Sequence, residues 1–238
     1  MNRFPFSEIY EKCAEFGVNI DSTTDEKLRI YAAKLLEWNE KINLTAITEP
    51  KDVVYKHFYD CILFLKNVKI EQGARLVDVG TGAGFPGMVL KIVRPDINLT
   101  LLDSLNKRLV FLEDVLKSVD LNAELLHSRA EEAGVNGNYR ELFDIATARA
   151  VASMNVLCEY CLPLVKVGGK FVAMKGPGIN EELSLSANAL KLCGGKTESV
   201  FTETLTGEEE RNFCLVQKIS QTPTKYPRIG KKISKQPL

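Results

Sequence analysis

Three glycines at alternate positions form the most informative motif in this sequence. Gly80, Gly82 and Gly84 follow a short apolar run and precede a helical pattern. Glycine suits such a loop because its backbone can turn sharply and can approach a ligand without an intervening Cβ atom. Open α/β sheets bind ligands outside the carboxyl ends of their strands, so the loop predicts a site for a nucleotide-like cofactor.

Acidic residues accompany the ends of three predicted strands. Asp78 stands just before the glycines, Asp103 ends the second strand, and Ala130 and Glu131 follow the third. A carboxylate at Asp103 can accept hydrogen bonds from both hydroxyls of a ribose, and Glu131 can accept one from the exocyclic amine of an adenine. Asp78 can help to anchor an aminoacyl group. Asp103 could also cap the following helix, and Glu131 could be a solvated acid in a first helical turn.

Two cofactors compete for this loop. Gly82, Gly84 and Gly87 also match the dinucleotide fingerprint. Three features favour S-adenosylmethionine instead: Asp78 would repel a pyrophosphate, the loop lies behind a long helical segment, and nothing downstream resembles a hydride-transfer site. The sequence therefore favours a methyltransferase. A dinucleotide-binding protein without transferase activity, and a tight turn without a ligand, are the alternatives.

The composition is that of an ordinary globular protein. Its 238 residues are 45% hydrophobic and formally carry no net charge. Such a chain can bury one large core, and it must hold any nucleic acid through a local basic patch. Residues 1–7 contain no apolar signal segment, and no apolar run is long enough to span a bilayer. We therefore expect a cytoplasmic protein without a membrane partner.

The cysteine and histidine pattern predicts buried thiols rather than a metal site or a disulfide framework. Six cysteines lie mostly within apolar runs, and only Cys158 and Cys161 have a motif spacing. A zinc or redox site would need a second pair of ligands or a thioredoxin-like setting. Only two histidines are present, so we expect no metal.

Hydrophobic periodicity divides the chain into an N-terminal helical cap (1–70), a cofactor-binding α/β domain (71–220) and a basic C-terminal tail (221–238). Thr24 is the predicted N-cap of the long cap helix, and Gly168 with Gly169 predicts a turn into the fifth strand. The predicted parallel strands are Arg75–Val79, Leu99–Asp103, Glu124–His127, Asp144–Ala148 and Lys170–Lys175, and a terminal hairpin covers Lys196–Leu205 and Asn212–Ile219.

Several segments spread over the whole chain match one known family. They are Asn43–Thr48, His57–Asp60, Val77–Gly87, Leu102–Arg108, Ala148–Ala152 and Tyr226–Arg228. On these segments the chain resembles the glucose-inhibited division B family, the bacterial small-subunit rRNA guanine-N7 methyltransferases. Glycines followed by Phe85, Pro86 and Gly87 are far more specific than glycines alone.

This resemblance implies an α/β fold of the class I methyltransferase (Rossmann-like) type, with a seven-stranded, mostly parallel sheet and an N-terminal helical cap. It implies an S-adenosylmethionine pocket that uses Gly80, Phe85, Ala130, Glu131 and Arg149, with Asp103 on the ribose. The implied reaction is methylation of N7 of one guanine in the decoding-centre stem-loop of 16S rRNA, and the alternative within methyltransferases is another RNA or a protein as the acceptor. The expected partner is 16S rRNA or the small ribosomal subunit, and nothing demands more than a monomer.

N7 of guanine carries a lone pair and no proton, so its methylation requires alignment rather than a general base. We expect Arg149 to orient the acceptor base near the donor methyl, as the catalytic residue; the alternative is a salt bridge from Arg149 to Asp78 or Asp103. His57 and Asp60 are expected either to pack over the cofactor cleft or to form a structural pair.

Binding of the RNA backbone is assigned to basic residues near the expected site and in the tail. A charge run is more often a solvated face, and that is the alternative for the tail. The predicted RNA-binding residues are Lys107, Arg108, Lys175, Arg228, Lys231, Lys232 and Lys235.

Overall fold

Strand and helix alternation from residue 75 onward builds one seven-stranded sheet. The computed structural model describes residues 4–207 and 209–238. Residues 1–3 of the N-terminal segment, predicted to contain no signal peptide, and residue 208 lie outside the described residues. The sheet order is β3-β2-β1-β4-β5-β7-β6. The strands are β1 Arg75–Val79, β2 Asn98–Asp103, β3 Glu124–His127, β4 Phe143–Arg149, β5 Val165–Lys175, β6 Gly195–Thr204 and β7 Glu210–Lys218.

The first five strands are parallel, and β7 pairs antiparallel with both β5 and β6. Four of the five residues of β1 are buried, and both its faces are covered. A parallel strand that is covered on both sides has a continuous apolar sequence, and for this reason β1 was predicted correctly. The predicted seven-stranded sheet and its terminal hairpin are confirmed.

One predicted turn is wrong. Gly168 and Gly169 do not turn the chain into β5, because β5 already begins at Val165 and continues through them. A Cβ atom on Gly169 would lie 2.6 Å from the backbone oxygen of Asp144 on β4. The glycine therefore allows two strands to approach closely at an irregular step in their register.

Helices cover both faces of the sheet. The cap comprises α1 Ser7–Ala14, α2 Ser22–Ile42, α3 Pro50–Val53, a π-helical stretch Val54–Tyr59, α4 Asp60–Ile62 and α5 Phe64–Asn67. The later helices are α6 Gly87–Val93, α7 Asn106–Ser118, α8 Ala130–Val135, α9 Met154–Cys161, α10 Ile179–Cys193 and α11 Lys232–Lys235. No helix among the described residues is both long and apolar enough to cross a membrane.

Helix α2 begins earlier than the sequence predicted. Asp21, not Thr24, is its N-cap, since the Asp21 side chain accepts a hydrogen bond from the backbone N–H of Thr24 at 2.7 Å. An aspartate in that position satisfies a helical N–H that would otherwise lack a partner. The helix gains almost a full turn compared with the prediction.

The cap packs directly on one face of the sheet. Tyr31 of α2 is fully buried; its ring stacks on Phe85 and meets Phe58 edge-on. Its hydroxyl donates to the backbone oxygen of Ala83 in the glycine loop. One continuous apolar cluster runs from the cap into the sheet, so the cap and this face share a single core.

A second apolar cluster fills the opposite face, beneath α8, α9 and α10. All six cysteines are free and buried, which confirms the prediction of core thiols. Burial raises the pKa of both Cys158 and Cys161 well above the ordinary thiol value. These thiols therefore remain protonated and unreactive at neutral pH.

The basic tail is tied to this second face. The guanidinium of Arg228 makes a two-pronged ion pair with Glu159 of α9, at 2.7 and 2.9 Å, and the Glu159 side chain is fully buried. Arg140 donates to the backbone oxygens of Gly134 and Tyr226, and so joins the end of α8 to the tail. Arg228, predicted to contact RNA, is therefore committed to a structural contact.

We predict that Arg228→Ala lowers the free energy of unfolding by on the order of 3 kcal/mol, because it leaves the Glu159 carboxylate buried and unpaired. Adding Glu159→Gln to Arg228→Ala should restore much of this loss, since the residue left behind is then neutral. Urea denaturation followed by circular dichroism measures both effects.

The matched control is Lys232→Ala, an exposed cation four residues further along the tail. It should stay within about 0.5 kcal/mol of the parent protein. Equal losses in Arg228→Ala and Lys232→Ala would show that the tail is not held by the Glu159 contact.

Candidate active site

The strand order reverses between β1 and β4, and the carboxyl ends of the strands there border two adjoining clefts. In open α/β sheets such a reversal opens a ligand-binding crevice. The Asp103 cleft, of about 340 Å³, lies outside β1, β2 and β3. The Arg149 cleft, of about 300 Å³, lies outside β4 and β5 beneath the cap. Ala150 lines both, so the two clefts meet at that residue.

The Asp103 cleft brings together the residues predicted to hold an adenosine. Gly80, Asp103, Ala130 and Glu131 all line it, and Tyr160 of α9 contributes an aromatic ring that the sequence did not single out. The two carboxylates, at the end of β2 and in the first turn of α8, can accept hydrogen bonds from a ribose diol and from an exocyclic amine. The lining thus offers the hydrogen-bond acceptors that an adenosine requires.

Asp103 also shapes the loop that it faces. Its Oδ2 accepts from the backbone N–H of Gly82 at 2.9 Å and from Arg108 at 3.2 Å, while Oδ1 accepts from the backbone N–H of Leu105 at 2.8 Å. The carboxylate therefore fixes the glycine loop and the turn before α7 together. Arg108, predicted to contact RNA, lies on the wall of this cleft.

The glycines of the loop serve different surfaces. Gly80 lines the Asp103 cleft, whereas Gly84 lies on the far side of the loop, against the cap. Gly84 has φ +94°, and a Cβ atom there would fall 2.6 Å from the Tyr31 hydroxyl and 2.7 Å from Leu112. Gly84 is thus required for the close packing of the cap on the loop, and Phe85 beside it is buried in the same contact.

Asp78 lies under the loop, fully buried. Its Oδ2 accepts from the hydroxyl of Thr81 at 2.7 Å and from the backbone N–H of Gly87 at 2.9 Å. Burial raises the pKa of this carboxyl to about 6. Among the described residues, Oδ1 of Asp78 and Oγ1 of its register partner Thr147 on β4 are buried without a hydrogen-bond partner. Buried polar atoms are normally paired, so these two atoms fit a polar group supplied by a ligand.

This arrangement disfavours a dinucleotide. A pyrophosphate binds to free N–H groups at the start of a helix. The first N–H of α6, on Gly87, already donates to the carboxylate of Asp78. The position that a pyrophosphate would need is therefore occupied by an acidic side chain.

The Arg149 cleft is lined by more cations than acids. Its four basic side chains are Lys56, Arg149, Lys175 and Arg211, and its two acidic ones are Glu182 and Glu209. Burial and the nearby positive charge of Arg149 lower the pKa of His57, which also lines the cleft, to about 3. His57 is therefore neutral at physiological pH, and the cleft carries an excess of positive charge.

Arg149 is held by Asp60, not by Asp78 or Asp103. Its Nη1 lies 2.7 Å from Oδ2 of Asp60, whose Oδ1 lies 2.7 Å from Nε of Arg211 on β7. The Asp60 side chain is completely buried between the two guanidinium groups. A single carboxylate thus fixes both arginines at the cleft and connects the cap to β4 and β7.

His57 completes this network. Arg149 lies 3.3 Å from Nδ1 of His57, and Oγ1 of Thr45 lies 2.8 Å from its Nε2. Because a guanidinium can only donate, Nδ1 accepts and Nε2 carries the proton that is donated to Thr45. The imidazole also stacks on Phe85 at a centroid distance of 4.6 Å. His57 lines the Arg149 cleft rather than the Asp103 cleft, and the buried Asp60 lines neither; each contacts Arg149.

Sequence reasoning missed Arg211, Thr45 and Tyr160. Asp60 and Arg211 are separated by 151 positions, and no pattern in a single sequence joins them. Thr45 lies in one of the segments that match the family, but its spacing from His57 does not indicate a contact between them. Tyr160 lies between Cys158 and Cys161, and that spacing does not indicate an aromatic ring at a cleft.

The remaining predicted RNA contacts belong to three elements: α7 carries Lys107, β5 carries Lys175, and the tail carries the three lysines at α11. Lys175 lines the Arg149 cleft and pairs with Glu182 at 2.7 Å. Lys107, Lys231, Lys232 and Lys235 are exposed. No group of three or more metal-binding side chains comes together among the residues that the structure describes.

Comparison with known proteins gives the family. The family described as rRNA small subunit methyltransferase G (GidB) matches residues 24–214. A protein of Clostridium perfringens named ribosomal RNA small subunit methyltransferase G is 46% identical over 235 residues, 98% of each chain. One of the same name from Alkaliphilus metalliredigens is 48% identical over 228 residues, 95% of each chain.

Solved structures share the fold at much lower identity. A variant of the protein titled MtNAS, solved in complex with S-adenosylmethionine, superposes with a TM-score of 0.56 at 15% identity, covering 90% of this chain and 78% of the other. The superposition confirms the predicted fold class, and the family match confirms the predicted methyltransferase of small-subunit rRNA. The chain belongs to the rRNA small subunit methyltransferase G family.

Proposed function

We propose that this protein transfers the methyl group of S-adenosylmethionine to N7 of one guanine in the decoding-centre stem-loop of 16S rRNA. One observation carries the proposal: an acid-lined cleft suited to an adenosine and a cation-lined cleft suited to RNA meet at Ala150. A donor in the first cleft and a base in the second would adjoin at that boundary.

The donor site is proposed from the chemistry of its lining. Asp103 accepts from the ribose hydroxyls, Glu131 accepts from the adenine amine, and Gly80 and Ala130 form the adjoining wall. The free Oδ1 of Asp78 and the hydroxyl of Thr147 suit the ammonium of the aminoacyl end. When bound, S-adenosylmethionine supplies an electrophilic methyl group on a sulfonium centre. We propose that Gly82, Gly84 and Phe85 act on the donor by shaping the loop.

The acceptor side requires no proton transfer, because N7 attacks through a lone pair and carries no hydrogen. The cleft fits such a reaction, since His57 is neutral and donates to Thr45. Arg149, fixed by Asp60, is proposed to orient the acceptor base by charge or by stacking. Alignment of two bound reactants can by itself lower the activation barrier by up to about 7–11 kcal/mol.

We propose a structured ribonucleoprotein, the small ribosomal subunit, as the preferred partner, because a chain with no net charge binds naked RNA weakly. The protein is proposed to act as a monomer in the cytoplasm. The division into a cap (1–70), a catalytic domain (71–220) and a tail (221–238) is proposed as a division of roles. The RNA contacts fall to Lys107, Lys175 and the tail lysines, while Arg108 and Arg228 stabilise the protein itself.

We predict that Asp103→Ala weakens S-adenosylmethionine binding about 100-fold, since two charge-assisted hydrogen bonds are lost. Isothermal titration calorimetry measures the affinity. Glu113→Gln on the exposed face of α7 is the control and should bind like the parent protein. Parent-like affinity in Asp103→Ala would remove Asp103 from the ribose. Stabilisation of the fold by NAD but not by S-adenosylmethionine would overturn the donor site altogether.

Small ribosomal subunits that lack the modification are expected to accept radiolabelled methyl from S-adenosylmethionine in the presence of this protein. Chain cleavage specific for 7-methylguanosine should then occur at a single guanine of the decoding-centre stem-loop. Label at another atom or another nucleotide would contradict the proposed acceptor, and naked 16S rRNA labelled faster than subunits would contradict the proposed partner.

We predict that simultaneous substitution of Lys231, Lys232 and Lys235 by Gln raises KM for small subunits on the order of 10-fold at moderate salt and flattens its dependence on salt. The three side chains are exposed and form no ion pair with any described residue. Affinity for S-adenosylmethionine should not change. Substitution of Lys69, Lys117 and Lys191 by Gln serves as the control. It removes the same charge near the amino ends of the parallel strands, away from the two clefts. Equal effects of the two triple variants would indicate net charge alone.

A further inference from the structure

Lys175 and Glu182 form an ion pair on the wall of the Arg149 cleft. Lys175 ends β5, Glu182 lies in the first turn of α10, and their charged atoms are 2.7 Å apart. The Lys175 side chain is 12% exposed and that of Glu182 is 32% exposed. The pair is therefore largely withdrawn from solvent but accessible from the cleft.

The pair keeps hydrogen-bonding capacity that the protein does not use. Nζ of Lys175 donates to the backbone oxygen of Ala152 at 2.9 Å and contacts Oε2 of Glu182, which leaves one of its three hydrogens. Oε2 of Glu182 also accepts from the backbone N–H of Met154 at 2.8 Å. No described residue donates to Oε1 of Glu182. One donor and one acceptor thus remain side by side.

That order of groups complements guanine and not adenine. The Watson–Crick edge of guanine presents the acceptor O6 beside the donors N1–H and N2–H₂, whereas adenine presents a donor amine beside the acceptor N1. An ammonium next to a carboxylate therefore matches guanine at both positions and opposes adenine at both. Reading this edge leaves N7 on the imidazole edge, outside the contact.

Building on the proposed function, we propose that the Lys175–Glu182 pair is the element that recognises the acceptor guanine, with the ammonium donating to O6 and the carboxylate accepting from N1–H and the 2-amino group. N7 remains free to face the Asp103 cleft across Ala150. In this role Glu182 determines specificity, and Lys175 contacts the guanine base rather than the RNA backbone.

The other charged groups of the cleft suit this role less well. The guanidinium groups of Arg149 and Arg211 are engaged by Asp60, and a guanidinium donating to O6 and N7 would cover the lone pair that must react. Glu209 is 41% exposed and lies 3.6 Å from the ammonium of Lys56. Glu182 is the less exposed of the two acids in this cleft, and it alone has a lysine within hydrogen-bonding distance.

The test compares guanine with inosine, which lacks only the 2-amino group, at the acceptor position of reconstituted small subunits. We expect the parent protein to lose about 10- to 100-fold in kcat/KM on inosine. Glu182→Gln should lose a similar factor on guanine, and its guanine-to-inosine ratio should fall to within about threefold of unity. Its affinity for S-adenosylmethionine should match that of the parent protein.

Glu181→Gln is the matched control, because Glu181 is the exposed neighbour of Glu182 on the same turn of α10. It should keep the parent rate and the parent ratio. Glutamine at position 182 can still accept from the Met154 N–H, so a merely structural role predicts an unchanged ratio in Glu182→Gln.

Two failures can be told apart. If the parent protein methylates guanine N7 but Glu182→Gln keeps the parent guanine-to-inosine ratio, recognition by the Lys175–Glu182 pair is overturned and the proposed function stands. If the parent protein labels no guanine N7 in subunits or in free rRNA, the proposed function fails and the recognition role fails with it.

Discussion

The active-site region depends above all on the carboxylate of Asp60. It is fully buried and bridges Arg149 at the end of β4 to Arg211 on β7, each at 2.7 Å. A buried carboxylate between two guanidinium groups is well satisfied, but either arginine alone would leave charge in the core uncompensated. Because Asp60 belongs to the cap, the position of the cap and the geometry of the Arg149 cleft are set by the same interaction.

The cap also fixes the glycine loop, on the side of the loop that faces away from the Asp103 cleft. Tyr31 donates to the backbone of Ala83, and Gly84 must lack a side chain for Tyr31 to approach. The glycine loop is thus held between Asp103 on one side and the cap on the other. The N-terminal helices therefore do more than cover a sheet, since they define the backbone conformation on which the proposed donor site is built.

Local patterns in the sequence predicted the sheet closely. β1 and β3 were located to the residue, because short apolar runs bounded by polar residues read clearly as buried parallel strands. The glycine loop and the acids at Asp103 and Glu131 were also predictable, since chemistry at strand ends depends only on local order. The bridge from Arg149 through Asp60 to Arg211 was not, because it joins distant parts of the chain. The Gly168–Gly169 turn failed because glycine permits close strand approach as well as turning.

The contact between Arg228 and Glu159 has a consequence for the order in which the molecule becomes complete. The residues that line the two clefts lie before residue 212, yet the charge of the buried Glu159 in α9 is balanced by Arg228, 69 positions further along the chain. During synthesis, α9 therefore emerges well before the arginine that neutralises its buried glutamate. A product truncated just before Arg228 would carry every proposed active-site side chain on a destabilised scaffold, and it would be a preferred substrate for cellular proteases.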